Sequence, residues 1–223
     1  MVLQARILGR VATLRELQKQ MTRRLLLDNA LEQFSTKGYA ATTIDDIAAG
    51  AGTTRTTFYL HFSSKAEMIH EIIRDLDAMF TGADDPPLAT VIERGERGLI
   101  EAWLDRKFDQ WVDGKPYLQA AYQAAPTDFE LDEALQGWFE KTAAAMQQGL
   151  DQADRFDPDT RRIRCVLAFG EFEYLARRWL RVGWRTERAV ARRVLTDSWC
   201  HLLIDEVAPP ATGTRHAKVV RRS

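Results

Sequence analysis

Apolar residues recur at helical spacing along almost the whole chain, and this periodicity restricts the fold more than any other feature of the sequence. From Arg23 onward, Leu27, Leu31 and Phe34 fall at i, i+4 and i+7. No segment alternates apolar and polar residues as a half-buried strand does. The pattern predicts an all-α protein. Its sharpest stripe contains Ala191, Val194, Leu195, Ser198, Trp199, Leu202 and Leu203.

The run TGADDPP at residues 81–87 separates short helical segments from long ones, because glycine and proline end helices. We expect an N-terminal extension at 1–20, a small helical domain at 21–81, a larger helical domain at 88–208 and a disordered tail at 209–223. Within the larger domain the spacing predicts helices at 88–112 (in one or two pieces), 115–125, 129–153, 158–182 and 187–207.

Composition excludes several classes of protein. The chain has 223 residues, 45% of them hydrophobic, and a net charge of −1, so any surface for a polyanion must be local. Cys165 and Cys200 lie inside helical patterns, as core thiols of a reduced protein do. The N-terminus has no apolar core typical of a signal peptide, and no apolar run approaches the ~20 residues of a membrane span. We expect a soluble, cytoplasmic protein with no membrane partner.

The stretch GAGTTRTTFYLHFSSK at residues 50–65 suggests, at first, a nucleotide-binding glycine loop. Arg55 stands where the third glycine would be, and a helical pattern rather than a strand precedes the stretch. Elsewhere the single Glu67-x-x-His70 pair is too little for a metal site. No nucleophile–base pair is visible either. We therefore predict no cofactor, no metal and no enzymatic activity.

The same stretch fits a helix–turn–helix unit better. A short helix that starts after Thr43 ends at Gly52, and Thr54 can cap a second short helix in which Phe58 and Phe62 face the core. That arrangement leaves the Arg55 guanidinium exposed, where it can form a bidentate hydrogen bond with guanine. Threonine hydroxyls and methyls suit base edges, and Tyr59, His61 and Lys65 suit phosphates.

Taken together, the runs TTIDDIA at 42–48, GTTR at 52–55 and TFYLHFSSK at 57–65 resemble the DNA-binding domain of the TetR family of bacterial transcriptional regulators. The resemblance covers residues 23–80. It implies an N-terminal three-helix helix–turn–helix domain and a larger helical domain for ligand binding and dimerisation. It also implies a homodimer that pairs through its last two helices, at about 158–182 and 187–207, and binds a palindromic double-stranded DNA operator.

Carried over by position, the family's DNA contacts fall on eight residues. Thr43, Tyr59, His61 and Lys65 would bind phosphates, and residues 54–57 would bind bases and nearby phosphates. Three residues depart from the family pattern: Thr53 replaces an apolar residue, Thr56 a frequent glycine and His61 a common tyrosine. The full set is Thr43, Thr54, Arg55, Thr56, Thr57, Tyr59, His61 and Lys65.

The N-terminal extension leaves two interpretations open. Leu14, Leu17, Met21 and Leu25 follow helical spacing, and the same stretch is rich in arginine and lysine. It is either an arm or helix that adds phosphate contacts, or a partly disordered leader.

All six tryptophans follow residue 87, where they either fill a core or line a pocket for an apolar molecule. Glu171 and Glu173 flank the aromatic run, and a carboxylate inside a cavity would favour a polar or cationic ligand group. The arginines at 177–193 suggest a solvated rim. By position in the family pattern, the ligand-binding candidates are Trp103, Phe108, Trp111, Tyr122, Phe139, Met146, Phe169 and Glu173.

The expected protein is a dimeric, ligand-responsive transcriptional regulator, most simply a repressor. A small, largely apolar effector would shift the long helices, change the spacing of the two recognition helices and release the operator. The alternative is an architectural or protein-responsive DNA-binding regulator with no small-molecule effector.

Overall fold

The computed structural model describes residues 13–82 and 84–204, and across these residues the chain is all-α, with nine α-helices and no strand. The fold class predicted from periodicity is confirmed. The predicted tail at 209–223, and most of the predicted extension, lie outside the described residues. The helices are α1 (Leu14–Lys37), α2 (Ile44–Gly50), α3 (Arg55–Tyr59), α4 (Lys65–Thr81), α5 (Leu88–Arg94), α6 (Arg97–Ala124), α7 (Phe129–Gln152), α8 (Pro158–Val182) and α9 (Arg188–Leu203).

Helix α1 begins well before the predicted domain start at residue 21. Thr13 caps it through a capping box, in which the Thr13 side chain accepts from the Glu16 backbone and Glu16 bonds back to Thr13. Residues 14–20 therefore continue the first helix. Sequence spacing indicated this helix, and the capping box explains why it begins at Leu14.

The first four helices share a core, to which α1 contributes Leu26, Ala30 and Phe34. Phe58 of α3 and Phe62 after it are buried in the same core, as their spacing predicts. Burying a phenylalanine side chain stabilises the fold by roughly 1.5–3 kcal/mol. This core fixes the short helices α2 and α3, which are too short to be stable alone.

The helical region predicted to start at residue 88 is in two pieces, as its glycines allowed, but its predicted end at 112 and the separate helix at 115–125 are wrong. The chain breaks at Gly95, whose φ of 61° is left-handed, and α6 then runs unbroken through Pro116. Gly114 explains part of this continuity: a Cβ there would lie 2.7 Å from Cε2 of Phe80, so α6 packs tightly against α4. Tertiary packing keeps the helix intact where the proline predicts an end.

Helices α8 and α9 each have two apolar faces. Leu195, Trp199 and Leu203 are buried, and the Trp199 indole donates to the Ala168 carbonyl at 2.9 Å. The predicted α9 stripe is thus divided, since Val194 points to solvent. An exposed apolar row on α8 contains Ile163, Val166, Leu167 and Tyr174.

The predicted domain boundary at residues 81–88 is bridged by contacts. Arg24 of α1 donates to the Tyr117 hydroxyl of α6 at 2.6 Å, and the Tyr39 backbone donates to Gln123 Oε1 at 2.9 Å. The division into two domains stays a prediction. Within the described part of the chain, no helix combines the length and hydrophobicity that a membrane span requires.

Both cysteines are buried and unbridged. Burial raises the pKa of the Cys165 thiol to about 12, so it stays protonated at neutral pH. Cys165 therefore acts as a packing residue, as its position inside a helical pattern predicts.

Candidate DNA-binding surface and effector cavity

Helix α2 starts at a well-made cap. The Thr43 side chain accepts from the Asp46 backbone, and Asp46 accepts from both the backbone and the hydroxyl of Thr43. The Lys37 ammonium and these bonds hold the pKa of Asp46 well below its usual range. Thr43 is exposed beside this helix end, and its contact with a phosphate stays a prediction.

Glycines set the path between α2 and α3. Gly52 has a φ of 66°, a conformation that favours glycine, and it forms the turn between the two helices. Gly50 faces α1 so closely that a Cβ there would lie 2.0 Å from Asn29 Oδ1. The first glycine thus allows close packing and the second allows the turn, and neither cradles a phosphate.

Helix α3 presents Arg55 and Thr56 to solvent, with Tyr59 47% exposed on the next turn. Arg55 Nη1 donates to Asp45 Oδ2 at 2.9 Å, and its Nη2 lies 3.4 Å from the Tyr59 hydroxyl. The hydrogen bonds to Tyr59 and Asp45 raise the pKa of Arg55. An exposed pair of this kind is weak, so Arg55 can exchange Asp45 for a base at little cost.

The two candidate base-reading threonines differ in their surroundings. Thr57 is half-buried, and its hydroxyl lies 3.1 Å from that of Thr54, the residue that caps α3. Thr56 is exposed, with no such bond among the described residues. Thr56 therefore has the more accessible hydroxyl, while Thr54 and Thr57 also stabilise the helix start. Their roles as DNA contacts stay predictions.

His61 follows α3 and lies against α1. Arg23 donates through Nη1 to the His61 carbonyl oxygen, and the Arg23 guanidinium sits 3.9 Å from the centre of the Phe62 ring. Burial, followed by the charges of Arg23 and Lys19, lowers the pKa of His61. The imidazole is therefore neutral at neutral pH in the unbound protein.

Lys65 has a structural task that the sequence did not reveal. Its ammonium donates to the carbonyl oxygens of Tyr39, at 2.9 Å, and Thr42, at 2.5 Å. It also lies 4.6 Å from the centre of the Tyr39 ring, and burial lowers its pKa. Two of its three donors are thus used within the protein, and its predicted phosphate contact would use the third.

A cavity of about 590 Å³ opens between α4, α6, α7 and α8. Six of the eight predicted ligand-binding residues line it: Trp103, Trp111, Tyr122, Phe139, Phe169 and Glu173. The other two do not, because Phe108 packs against Trp111 and Trp184, and Met146 is fully buried among other core residues.

Sequence reasoning missed three aromatic residues of the cavity wall, Phe80, Trp138 and Phe172. Trp138 adjoins Phe139 and Phe172 adjoins Glu173, so helical periodicity could have found these two, whereas Phe80 lies on α4, where no candidate was chosen. The tryptophans therefore divide between both expected uses: Trp103, Trp111 and Trp138 line the cavity, whereas Trp199 is fully buried in the core.

The two glutamates near the aromatic run face different ways. Glu171 is exposed and accepts from the Ser198 hydroxyl at 2.9 Å, whereas Glu173 lines the cavity and pairs with Arg177. Arg177 also lies 4.5 Å from the centre of the Tyr122 ring. Burial and the Glu173 charge raise the pKa of the Tyr122 hydroxyl. One wall of an aromatic cavity thus carries a carboxylate and a phenol.

A second polar group lies at the end of α4. Lys107 donates to the Phe80 carbonyl oxygen and pairs with Asp84 Oδ1 at 2.7 Å, while the Trp103 indole donates to Asp84 Oδ2 at 3.1 Å. Neither this cluster nor any other group of acidic, histidine and cysteine side chains in the described residues is arranged to hold a metal ion.

Known proteins match both parts of this architecture. Residues 26–72 match the family model described as bacterial regulatory proteins, tetR family. Among curated relatives, the transcriptional repressor KstR2 of Mycobacterium tuberculosis is 46% identical over 56 residues, 25% of this chain and 28% of that protein. The regulator TcmR of Streptomyces glaucescens is 28% identical over 161 residues, 65% of this chain and 68% of its own. The matched part of the chain spans only about a quarter to two fifths of the length of the first curated relatives.

Solved structures agree in fold over most of the chain. SmeT, the repressor of the Stenotrophomonas maltophilia multidrug efflux pump SmeDEF, superposes with a TM-score of 0.63 at 19% identity, covering 87% of this chain and 96% of its own. NalD of Pseudomonas aeruginosa, a secondary repressor of an efflux pump, gives 0.62 at 23% identity, covering 82% and 97%. Residues 26–72 of this chain therefore form a domain of the TetR family of bacterial regulatory proteins.

Proposed function

We propose that this protein is a dimeric transcriptional repressor that binds a palindromic DNA operator and releases it when a small, largely apolar effector occupies the cavity. The main support is the exposed face of α3, where Arg55 and Thr56 stand clear of the core while Phe58 anchors the helix beneath them. A regulator of this kind works in the cytoplasm, where the DNA is.

The proposed DNA contacts divide by chemistry. Arg55 and Thr56 read base edges in the major groove, with Thr57 as a minor contributor because its hydroxyl already bonds Thr54. Thr43, Tyr59 and His61 anchor the flanking phosphates, and Lys65 adds a contact through its remaining donor.

The cavity supports an effector rather than a purely architectural role. Its volume of about 590 Å³ lies within the 300–1,000 Å³ range that is common for small-molecule sites. Aromatic rings form most of its wall, and Glu173 offers a carboxylate to a polar or cationic group. An effector with flat apolar rings and a positive charge fits both features.

The exposed apolar row on α8 supports the proposed dimer. Ile163, Leu167 and Tyr174 lie on one face, with Gly170 among them, and Val194 of α9 is exposed as well. Two such faces would bury one another around a two-fold axis as a four-helix bundle.

The position of the cavity supports a route from effector to DNA. Its wall includes Asp77, Phe80 and Thr81 from the last turns of α4, and the first residue of α4, Lys65, contacts the segment before α2. An effector that displaces this end of α4 changes the spacing of the two recognition helices, so both half-sites cannot be bound together.

A gel-shift titration tests the proposal with DNA from upstream of the protein's own gene. Specific retardation by the dimer, reversed by malachite green, is the expected result; the dye offers aryl rings and a positive charge, and it occupies the multidrug binding protein EbrR in one related structure. A dimer that binds DNA but neither binds nor responds to dyes of this class would favour the regulator without a small-molecule effector. Absence of any DNA binding by the folded dimer would refute the proposal.

A further inference from the structure

Arg15, Lys19 and Arg23 form a basic row on the first turns of α1. Their spacing of four residues places them on one face of the helix. Leu26 and Ala30, buried in the core, continue the same face toward the C-terminal end. The basic row is therefore the core-facing side of α1, extended beyond the end of the core.

Arg23 shows what this face is turned toward. It donates to the His61 carbonyl oxygen and covers the Phe62 ring, so the loop after α3 lies against the row. Lys19, one turn earlier, is close enough for its charge to act on the His61 imidazole. The row thus begins beside the residues expected to hold the DNA backbone.

The three cations differ in how they are neutralised. Arg23 is used within the protein, since its Nε donates to Glu71 Oε2 at 3.0 Å and its Nη2 lies 3.7 Å from Glu67 Oε1. Arg15 and Lys19 are exposed, and no carboxylate of residues 13–82 or 84–204 forms an ion pair with either. Lys19 and Arg15 lie roughly 6 and 12 Å beyond Arg23, respectively, along the helix axis, at 1.5 Å per residue.

We propose that Arg15 and Lys19 bind phosphates of the DNA strand that passes Tyr59 and His61. This inference rests on the proposed function, since it extends the same DNA-binding surface along α1. A DNA strand bound at His61 would continue past Lys19 and then Arg15, whose positive charges form no ion pair within the described residues. Phosphate contacts raise affinity for every sequence and read none, so the row anchors the domain beside the groove that α3 reads.

Salt dependence of binding to a random-sequence duplex tests the proposal, because non-specific binding depends on phosphate contacts and requires no known operator. The variants are Lys19→Gln and the double variant Arg15→Gln/Lys19→Gln, since glutamine is as good a helix former as lysine. The matched control is Arg94→Gln at the end of α5, which removes one exposed positive charge away from the α1 surface. Thermal unfolding followed by circular dichroism shows that each variant is folded.

We expect the slope of log K against log salt to become shallower by about 0.9 for Lys19→Gln and about 1.8 for the double variant, with no change for Arg94→Gln. Lys19→Arg keeps the charge and should keep the slope. Wild-type slopes in the folded double variant would overturn this inference while leaving the proposed function intact. An equal change in Arg94→Gln would also overturn it, because net charge would then explain the effect. If wild-type protein binds no duplex at all, the proposed function fails and this inference fails with it.

Discussion

Lys107 and Asp84 form an ion pair whose side chains are only 3% and 7% exposed, with 2.7 Å between Nζ and Oδ1. Both residues line the cavity, and Lys107 also donates to the Phe80 carbonyl in the last turn of α4. The ion pair therefore links the cavity wall to the C-terminal end of α4 and to the segment that follows α4.

Removing one partner of this pair should destabilise the protein strongly. We expect Lys107→Met to lower the free energy of unfolding by about 3–5 kcal/mol, because Asp84 is left buried without its cation. Lys141→Met is the control, since Lys141 is 72% exposed and its pair with Asp77 should contribute less than about 1 kcal/mol. Urea denaturation measures both, and similar losses would show that the Lys107 pair is no stronger than a surface contact.

Arg55→Ala separates sequence reading from anchoring. We expect specific DNA binding to weaken by about 5- to 150-fold and the preference at one base pair to relax, with unfolding unchanged because Arg55 contacts only exposed partners. Binding to operator variants, measured by fluorescence anisotropy, gives both quantities. Equal loss on operator and random DNA would mean that Arg55 is a phosphate contact instead.

His61 should couple DNA binding to pH. Its pKa in the unbound protein is lowered by burial and by the charges of Arg23 and Lys19, whereas a bound phosphate favours the protonated imidazole. DNA binding then takes up a proton, so affinity rises as pH falls toward and below about 6.5, the ordinary histidine value. Titrations across this range should show a weaker pH dependence in His61→Gln.

The same histidine should have the opposite effect on stability. Its folded-state pKa lies below the unfolded value, so the unfolded chain binds more protons as the pH falls through about 6.5 and stability decreases there. His61→Gln should reduce this decrease in thermal unfolding. For DNA binding, a pH dependence that is identical in the wild-type protein and in His61→Gln would exclude His61 as its source.

Glu173 and Glu171 offer a matched test of effector chemistry. We expect Glu173→Gln to weaken binding of a cationic dye by about tenfold or more, because the wall loses its carboxylate, while Glu171→Gln binds as wild type does, since Glu171 is exposed and bonds Ser198. Tryptophan fluorescence quenching reports occupancy, because three tryptophans line the cavity. Equal affinities in both variants would show that Glu173 does not contact the cation.

A charge on the exposed apolar row of α8 should break the dimer. We expect Leu167→Glu to give monomers in sedimentation velocity and to weaken operator binding, because only a dimer engages two half-sites. Val112→Glu is the control, an exposed apolar residue on α6 that is 61% exposed. A dimeric Leu167→Glu protein would place the interface elsewhere.

Periodicity and turn chemistry were enough to predict most of the fold. The helices Phe129–Gln152 and Pro158–Val182 follow the spacing closely, because each starts at a capping aspartate and buries a regular stripe. The middle of α6 could not be predicted, since Pro116 indicates a break and the packing of Gly114 on Phe80 is a contact between distant residues. Sequence patterns among neighbouring residues could not predict this part of the helix, because its path depends on packing between distant residues.

The candidate site was predictable to the same extent. Six of the eight predicted ligand-binding residues line the cavity, as their helical positions predict. Phe108 and Met146 are also apolar and fall at helical spacing, but they face the core instead. Which way a residue faces depends on how α6, α7 and α8 are rotated against one another. The use of Lys65 as a donor to two backbone carbonyls depends likewise on a tertiary contact.

That contact of Lys65 has a mechanical consequence. Because the first residue of α4 is tied to the carbonyls of Tyr39 and Thr42, the segment that leads into α2 must travel with α4. Helix α3 follows, since Phe58 is fixed in the shared core. In the proposed dimer, a displacement of α4 would therefore move α2 and α3 with it, so that each DNA-binding unit keeps its internal geometry while the separation between the two units changes.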